Sequence, residues 1–176
     1  SVPTGTATSS SAGSVKLTVG GQTSNTVFFG YSAPSLASIT PTSGSTAGGY
    51  GLTLTGANFG PAPAFSVGGS PCTLVSVAAN QSLAVCTMPS GQGTSRVVQA
   101  NAASQLSNTL AFSYSGPLIT TATTQAASTA GNTPVTITGT SLGTSGVIQV
   151  GSGLCPATSH NHTTIICTLP PGEGSS

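Results

Sequence analysis

Apolar and hydroxylated residues alternate along short stretches of the chain. Leu52 and Leu54 interleave with Thr53 and Thr55, and Val135 and Ile137 interleave with Thr136 and Thr138. A period of two, with one apolar and one hydroxylated face, predicts a half-buried antiparallel strand. Shorter runs predict further strands at residues 64–67, 74–77, 83–87, 96–100 and 110–114, separated by clusters of Gly, Pro, Ser and Asn. No stretch carries a helical period.

The pattern repeats. Residues 45–60 read STAGGYGLTLTGANFG and residues 128–143 read STAGNTPVTITGTSLG, an offset of 83 positions. Residues 24–34 (SNTVFFGYSAP) match 107–117 (SNTLAFSYSGP) at the same offset. Val67-Gly68-Gly69-Ser70-Pro71-Cys72 matches Val150-Gly151-Ser152-Gly153-Leu154-Cys155, and Val85-Cys86-Thr87-Met88-Pro89 matches Ile166-Cys167-Thr168-Leu169-Pro170 at an offset of 81. The two-residue difference is expected in the loop after Cys72. A period this long is too large for a solenoid and fits one small β-domain. Residues 1–34 therefore read as the C-terminal half of one module, 35–117 as a complete module and 118–176 as the N-terminal part of the next. Val2-Pro3-Thr4-Gly5 resembles Met88-Pro89-Ser90-Gly91 and Leu169-Pro170-Pro171-Gly172, so both ends fall at one phase of the repeat. That is expected of a window cut from a longer array. Several short strands per module predict an all-β chain of tandem Ig-like sandwiches. The core Trp of antibody domains is missing, since the chain has no Trp.

Ile39-Thr40-Pro41-Thr42-Ser43-Gly44, then Ala47-Gly48-Gly49, then the stretch from Leu52 to Gly60, resemble the entry to an IPT/TIG domain. That family has Ig-like β-sandwiches and occurs in plexins, the Met receptor, Rel-type transcription factors and extracellular repeat proteins. The Val67–Cys72 and Val85–Pro89 motifs continue the resemblance in register. The third module departs from it: Thr121 is expected near the place of Pro41, and Thr133-Pro134 replaces Tyr50-Gly51.

The four cysteines form two equivalent pairs, Cys72/Cys86 and Cys155/Cys167. Four cysteines allow three connectivities. The repeat favours a disulfide within each module, and the family resemblance implies the same pairing. Zinc spacings of the Cys-x-x-Cys kind are absent. Disulfides imply an oxidising compartment, extracellular or at the cell surface.

Composition narrows the function. Only 2% of residues are charged, namely Lys16, Arg96 and Glu173, against roughly 25% in ordinary domains. The hydrophobic fraction of 36% argues against disorder. No apolar run approaches the ~18 residues of a membrane span. Two scattered cations cannot neutralise a phosphate backbone, so nucleic acid is not an expected partner. Catalysis is not expected either. The chain has no Asp, and His160 and His162 sit together in what reads as one loop. Gly48-Gly49 opens no phosphate loop. No cofactor and no metal are expected.

With so little charge, covalent glycans are the expected source of solubility. Asn80-Gln81-Ser82 and Asn161-His162-Thr163 are N-glycosylation sequons. Each Asn lies six positions before its module's second cysteine. The Ser/Thr-rich stretches 1–14 and 120–129 are O-glycan candidates. Three functions are compatible with this chain. It reads first as the repeating unit of a structural fibre, filament or surface stalk whose partners are neighbouring repeats or copies of itself. The alternatives are an adhesive or receptor ectodomain module and a spacer beside an extracellular enzyme domain. One Arg, three Tyr and no Trp weigh mildly against a tight protein-binding face.

Overall fold

A computed structural model describes residues 12–125 and 127–173. The motif at residues 2–5, most of the stretch 1–14 and residue 126 of the stretch 120–129 lie outside the described residues. Three groups of strands follow one another. The first holds β1 (Ala12–Val15), β2 (Thr18–Val19), β3 (Gln22–Thr23) and β4 (Val27–Gly30). The second holds β5 (Ser35–Thr40), β6 (Ser43–Gly44), β7 (Gly51–Ala57), β8 (Ala64–Val67), β9 (Ser70–Val77), β10 (Leu83–Thr87), β11 (Arg96–Ala102), β12 (Gln105–Leu106) and β13 (Leu110–Tyr114). The third holds β14 (Leu118–Thr124), β15 (Pro134–Thr140), β16 (Gln149–Val150), β17 (Gly153–Leu154), β18 (Ala157–His160) and β19 (Thr164–Thr168). No helix occurs among the described residues.

The middle group forms an Ig-like sandwich. Its strands pair in the order β5-β7-β10-β9-β8-β11-β13-β6. β9 turns the corner between the layers. Its first residues pair with β8, Ser66 opposite Pro71 and Phe65 opposite Cys72. Its later residues pair with β10, Thr87 opposite Thr73 and Ala84 opposite Val77. β9 therefore begins four residues before the predicted run at 74–77. The stretch Ser70-Pro71-Cys72 lacks the alternation of a one-faced strand because it serves a corner.

Alternation along β7 becomes burial. Leu52 and Leu54 are fully buried, while Thr53 is half-buried and Thr55 exposed. Leu36, Ile39, Phe65, Val67, Val98, Ala100 and Phe112 complete the core with them. Phe59 meets Phe65 edge to face at 5.4 Å, and Phe112 meets Tyr114 likewise at 5.2 Å.

The outer groups repeat the registers of the middle one. β1 pairs with β4 as Gly13 opposite Phe29 and Val15 opposite Val27. Eighty-three positions on, β11 pairs with β13 as Arg96 opposite Phe112 and Val98 opposite Leu110. β14, β15 and β19 likewise repeat β5, β7 and β10. One register corrects the sequence alignment. Thr123 faces Thr136 as Thr40 faces Thr53, so Thr124, not Thr121, takes the place of Pro41. The two-residue difference is also relocated. Val77 pairs with Ala84 and His160 with Ile165, so the shortening falls in the following hairpin turn and not directly after Cys72.

The third group differs at its corner. Pro156 stands where β9 has Thr73, and proline has no backbone N–H to donate to a ladder. The strand splits there into β17 and β18, leaving a four-stranded sheet and a separate two-stranded one. A small core of Val135, Ile137, Leu142, Cys155, Ile165 and Cys167 forms between them.

The repeated Thr-Ala-Gly at 46–48 and 129–131 has a steric cause. Gly48 has φ +67° and Gly131 φ +76°. A Cβ on Gly48 would lie 2.5 Å from the carbonyl carbon of Pro89, and on Gly131 2.7 Å from that of Pro170. Only glycine lets this turn close against the Pro89 and Pro170 backbones.

Candidate functional site

Both disulfides form within their own module. Cys72–Cys86 joins β9 to β10 with Cα atoms 5.5 Å apart. Cys155–Cys167 joins the link before β18 to β19 with Cα atoms 5.4 Å apart. Each staples the corner where the strand leaves one sheet for the other. All four cysteines are buried, which keeps the bridges from solvent thiols.

Asn80 and Asn161 lie in the hairpin turns β9–β10 and β18–β19, both exposed. Asn161 Oδ1 accepts from the Thr163 amide at 3.0 Å, the Thr164 amide at 2.9 Å and the Thr163 hydroxyl at 3.2 Å. Asn80 Oδ1 accepts from the Ser82 amide at 3.3 Å. The oxygen of each carboxamide thus fixes the turn, and the nitrogen has no protein partner among the described residues. That nitrogen is the atom an N-glycan would occupy.

Of the two histidines expected in one loop, His162 lies in a turn and His160 does not. His160 closes β18, and its Nε2–H donates to the Leu142 carbonyl at 2.9 Å. His162 sits in the sequon turn, with Nδ1 3.0 Å from the hydroxyl oxygen of buried Thr46 in the middle module. Gln92 makes a second link between the same two modules. Its Oε1 accepts from the Thr144 amide at 3.1 Å, and its Nε2 donates to Ser145 Oγ at 2.8 Å. On the other side of the middle module, Asn58 Nδ2 donates to the Ala33 carbonyl at 3.3 Å and Gln105 Nε2 to the Tyr31 carbonyl at 3.4 Å. A groove of about 580 Å³ opens there, lined by Tyr31, Asn58, Pro61, Gln81 and Gln105 among others. No sequence motif announces these links, because uncharged amides far apart in the chain make them.

The charged residues do not converge. Lys16 lies one position beyond β1 and is exposed. Arg96 opens β11, and its Nε–H donates to the Gln92 carbonyl at 2.7 Å. Glu173 is exposed. No group of three metal-ligating side chains occurs among the described residues. Burial raises the pKa of Tyr50, and the neighbouring Tyr114 adds to the effect. Burial also raises that of Tyr114, against a smaller lowering by Arg96. The Tyr114 hydroxyl donates to the Pro89 carbonyl at 2.9 Å.

A two-layer sandwich with a corner-turning strand stapled by a disulfide, repeated in register along the chain, defines an Ig-like module of a tandem array. The chain belongs to the IPT/TIG domain family, whose family model matches residues 34–114 and 117–176. Fibrocystin-L of Mus musculus is 34% identical over 145 residues, which is 76% of this chain and 3% of that protein. The plexin A4 full extracellular region is 24% identical with a TM-score of 0.43, covering 81% of this chain and 16% of that one. The surface glycan-binding protein PbSGBP-B from Prevotella bryantii is 18% identical with a TM-score of 0.50, covering 83% of this chain and 38% of that one. This last likeness is one of fold.

Proposed function

We propose that the chain is a repeating structural unit of an extracellular or cell-surface glycoprotein, assembled as a fibre, filament or stalk, and that it is not an enzyme. The observation carrying this reading is that each outer group of strands repeats, 83 positions away, a different part of the middle module's registers. A chain with 2% charged residues supports it, because such modules pack without like-charge repulsion. Glycans at Asn80 and Asn161 would supply solvation. The pair of His162 and Thr46 does not argue for catalysis, since Thr46 is buried and cannot present its hydroxyl to a substrate. Electron microscopy of the native material tests this reading. Regular filaments or stalks with a periodic module spacing are expected, and short, unassociated, monodisperse particles would overturn it.

An adhesive or receptor ectodomain is the second reading. It is favoured by the groove beside exposed Tyr31. Saturable binding of a protein or glycan ligand that is lost in Tyr31→Ala would select it over the structural one.

A further inference from the structure

Each sequon is built into a joint between modules. Where the middle and third groups meet, the sequon's central residue His162 reaches the Thr46 hydroxyl oxygen across the boundary, 3.0 Å away. Where the first and middle groups meet, Gln81 takes the same place and lines a groove with Gly30, Tyr31 and Ser32 of the preceding group. His162 and Gln81 are half-buried, while Asn161 and Asn80 beside them are exposed. The middle module is the sequon's own module at the first joint and the preceding module at the second, and the Asn stands exposed at both.

The two turns are locked in the same way. The Phe59 amide donates to the Gln81 carbonyl at 3.1 Å and the Gly56 amide to the Ser82 carbonyl at 2.8 Å. The Leu142 amide donates to the His162 carbonyl and the Gly139 amide to the Thr163 carbonyl, both at 2.9 Å. The segment that holds each turn also carries a contact to the preceding module. Asn58 Nδ2 donates to the Ala33 carbonyl at 3.3 Å, and the Thr144 amide donates to Gln92 Oε1 at 3.1 Å. A glycan on either Asn is therefore rooted one residue from the boundary, at the same point of each joint. Asn161 Oδ1 is taken up by the turn. A sugar on its free nitrogen displaces none of the contacts that close the joint.

We propose that N-glycans at Asn80 and Asn161 are working parts of the joints, limiting how far neighbouring modules swing apart. The proposal rests on the glycoprotein reading above. An uncharged joint held by a few hydrogen bonds among amides, hydroxyls and one imidazole opens at low cost. A bulky sugar core rooted at the boundary excludes some orientations of the open joint and leaves the closed one unhindered. Fewer open orientations mean less entropy gained on opening, so the closed joint is favoured. The glycan then stiffens the array at each joint as well as solvating it.

The test uses the full 176-residue chain, secreted from a host that attaches high-mannose glycans, with peptide mass mapping to read occupancy. Hydrogen exchange at the Thr144 amide reports opening of the second joint, because Gln92 of the other module binds that amide. Trimming by an endoglycosidase to the first sugar leaves every residue of the turn in place. Thr163→Ala removes the sequon and keeps both amide bonds to Asn161 Oδ1. Exchange at Thr144 is expected to quicken several-fold after trimming and in Thr163→Ala, while the amides of β15 and β19 exchange as before. A Ser82→Ala chain, altered at the other joint, is expected to keep the parent rate at Thr144. An occupied Asn161 whose trimming leaves the Thr144 rate unchanged overturns the proposal and leaves the glycoprotein reading standing. Unoccupied sequons overturn both.

Discussion

The imidazole Nδ1 of His162 lies 3.0 Å from the Thr46 hydroxyl oxygen, tying the sequon turn of one module to a buried threonine of its neighbour. Burial leaves that hydroxyl little water to bond instead, so the link is sensitive to loss of either partner. Thr46→Val keeps the shape and removes the bond, and it is expected to cost about 0.5–1.5 kcal/mol. Combined with Gln92→Ala, it removes both links between the modules. Small-angle scattering is then expected to show a broader spread of inter-module orientations while each module melts as before. A profile unchanged from that of the parent chain would mean that the short connection between β13 and β14 sets the orientation alone.

The strands with one apolar face were legible in the sequence. β7 and β15 show their alternation directly, and the cysteine pairing followed from the repeat. The start of β9 was not legible, because Ser70, Pro71 and Cys72 pair with β8 while the rest of the strand pairs with β10. A corner of that kind has no period. The roles of Gln92, Asn108 and His162 were hidden for another reason. Their partners Thr144, Leu36 and Thr46 are 52, 72 and 116 positions away. Only the fold brings them together.

The Cys72–Cys86 bridge holds the two sheets together at the corner strand. Replacing both cysteines by alanine frees the unfolded chain and loosens that corner. A loss of about 2–5 kcal/mol is expected, read as a lower denaturant midpoint for the middle module. The third group is expected to unfold at its former midpoint, since Cys155–Cys167 staples a separate core. A midpoint unchanged in the double variant would show that the bridge adds nothing to the packed core around Leu52 and Phe112.

Asn80 and Asn161 present their carboxamide nitrogens from exposed turns. In a secretory host, intact-mass measurement is expected to show a loss of one glycan for Asn80→Gln and of one for Asn161→Gln. The double variant is expected to lose solubility, because few charges remain to replace the sugars. An unmodified parent chain from a host that glycosylates other sequons would refute this assignment.

Tyr50 and Tyr114 make stability depend on alkaline pH. Burial raises both pKa values above the ordinary 10.0; Tyr114 adds to the rise at Tyr50, and Arg96 partly offsets the rise at Tyr114. The unfolded chain therefore releases these protons at lower pH than the folded chain does. Below the ordinary value both states are protonated, and this contribution is fully present. As pH rises from about 10 through the raised values, the unfolded state binds fewer protons, and stability falls. Equilibrium denaturation across this range is expected to show a declining midpoint in parallel with delayed tyrosinate absorbance. Tyr114→Phe keeps the ring against Phe112 and removes one of the two phenols. Its midpoint is expected to be lower at neutral pH, through loss of the bond to Pro89, and to fall less steeply above pH 10. Equal slopes for the variant and its parent would place the alkaline sensitivity elsewhere in the molecule.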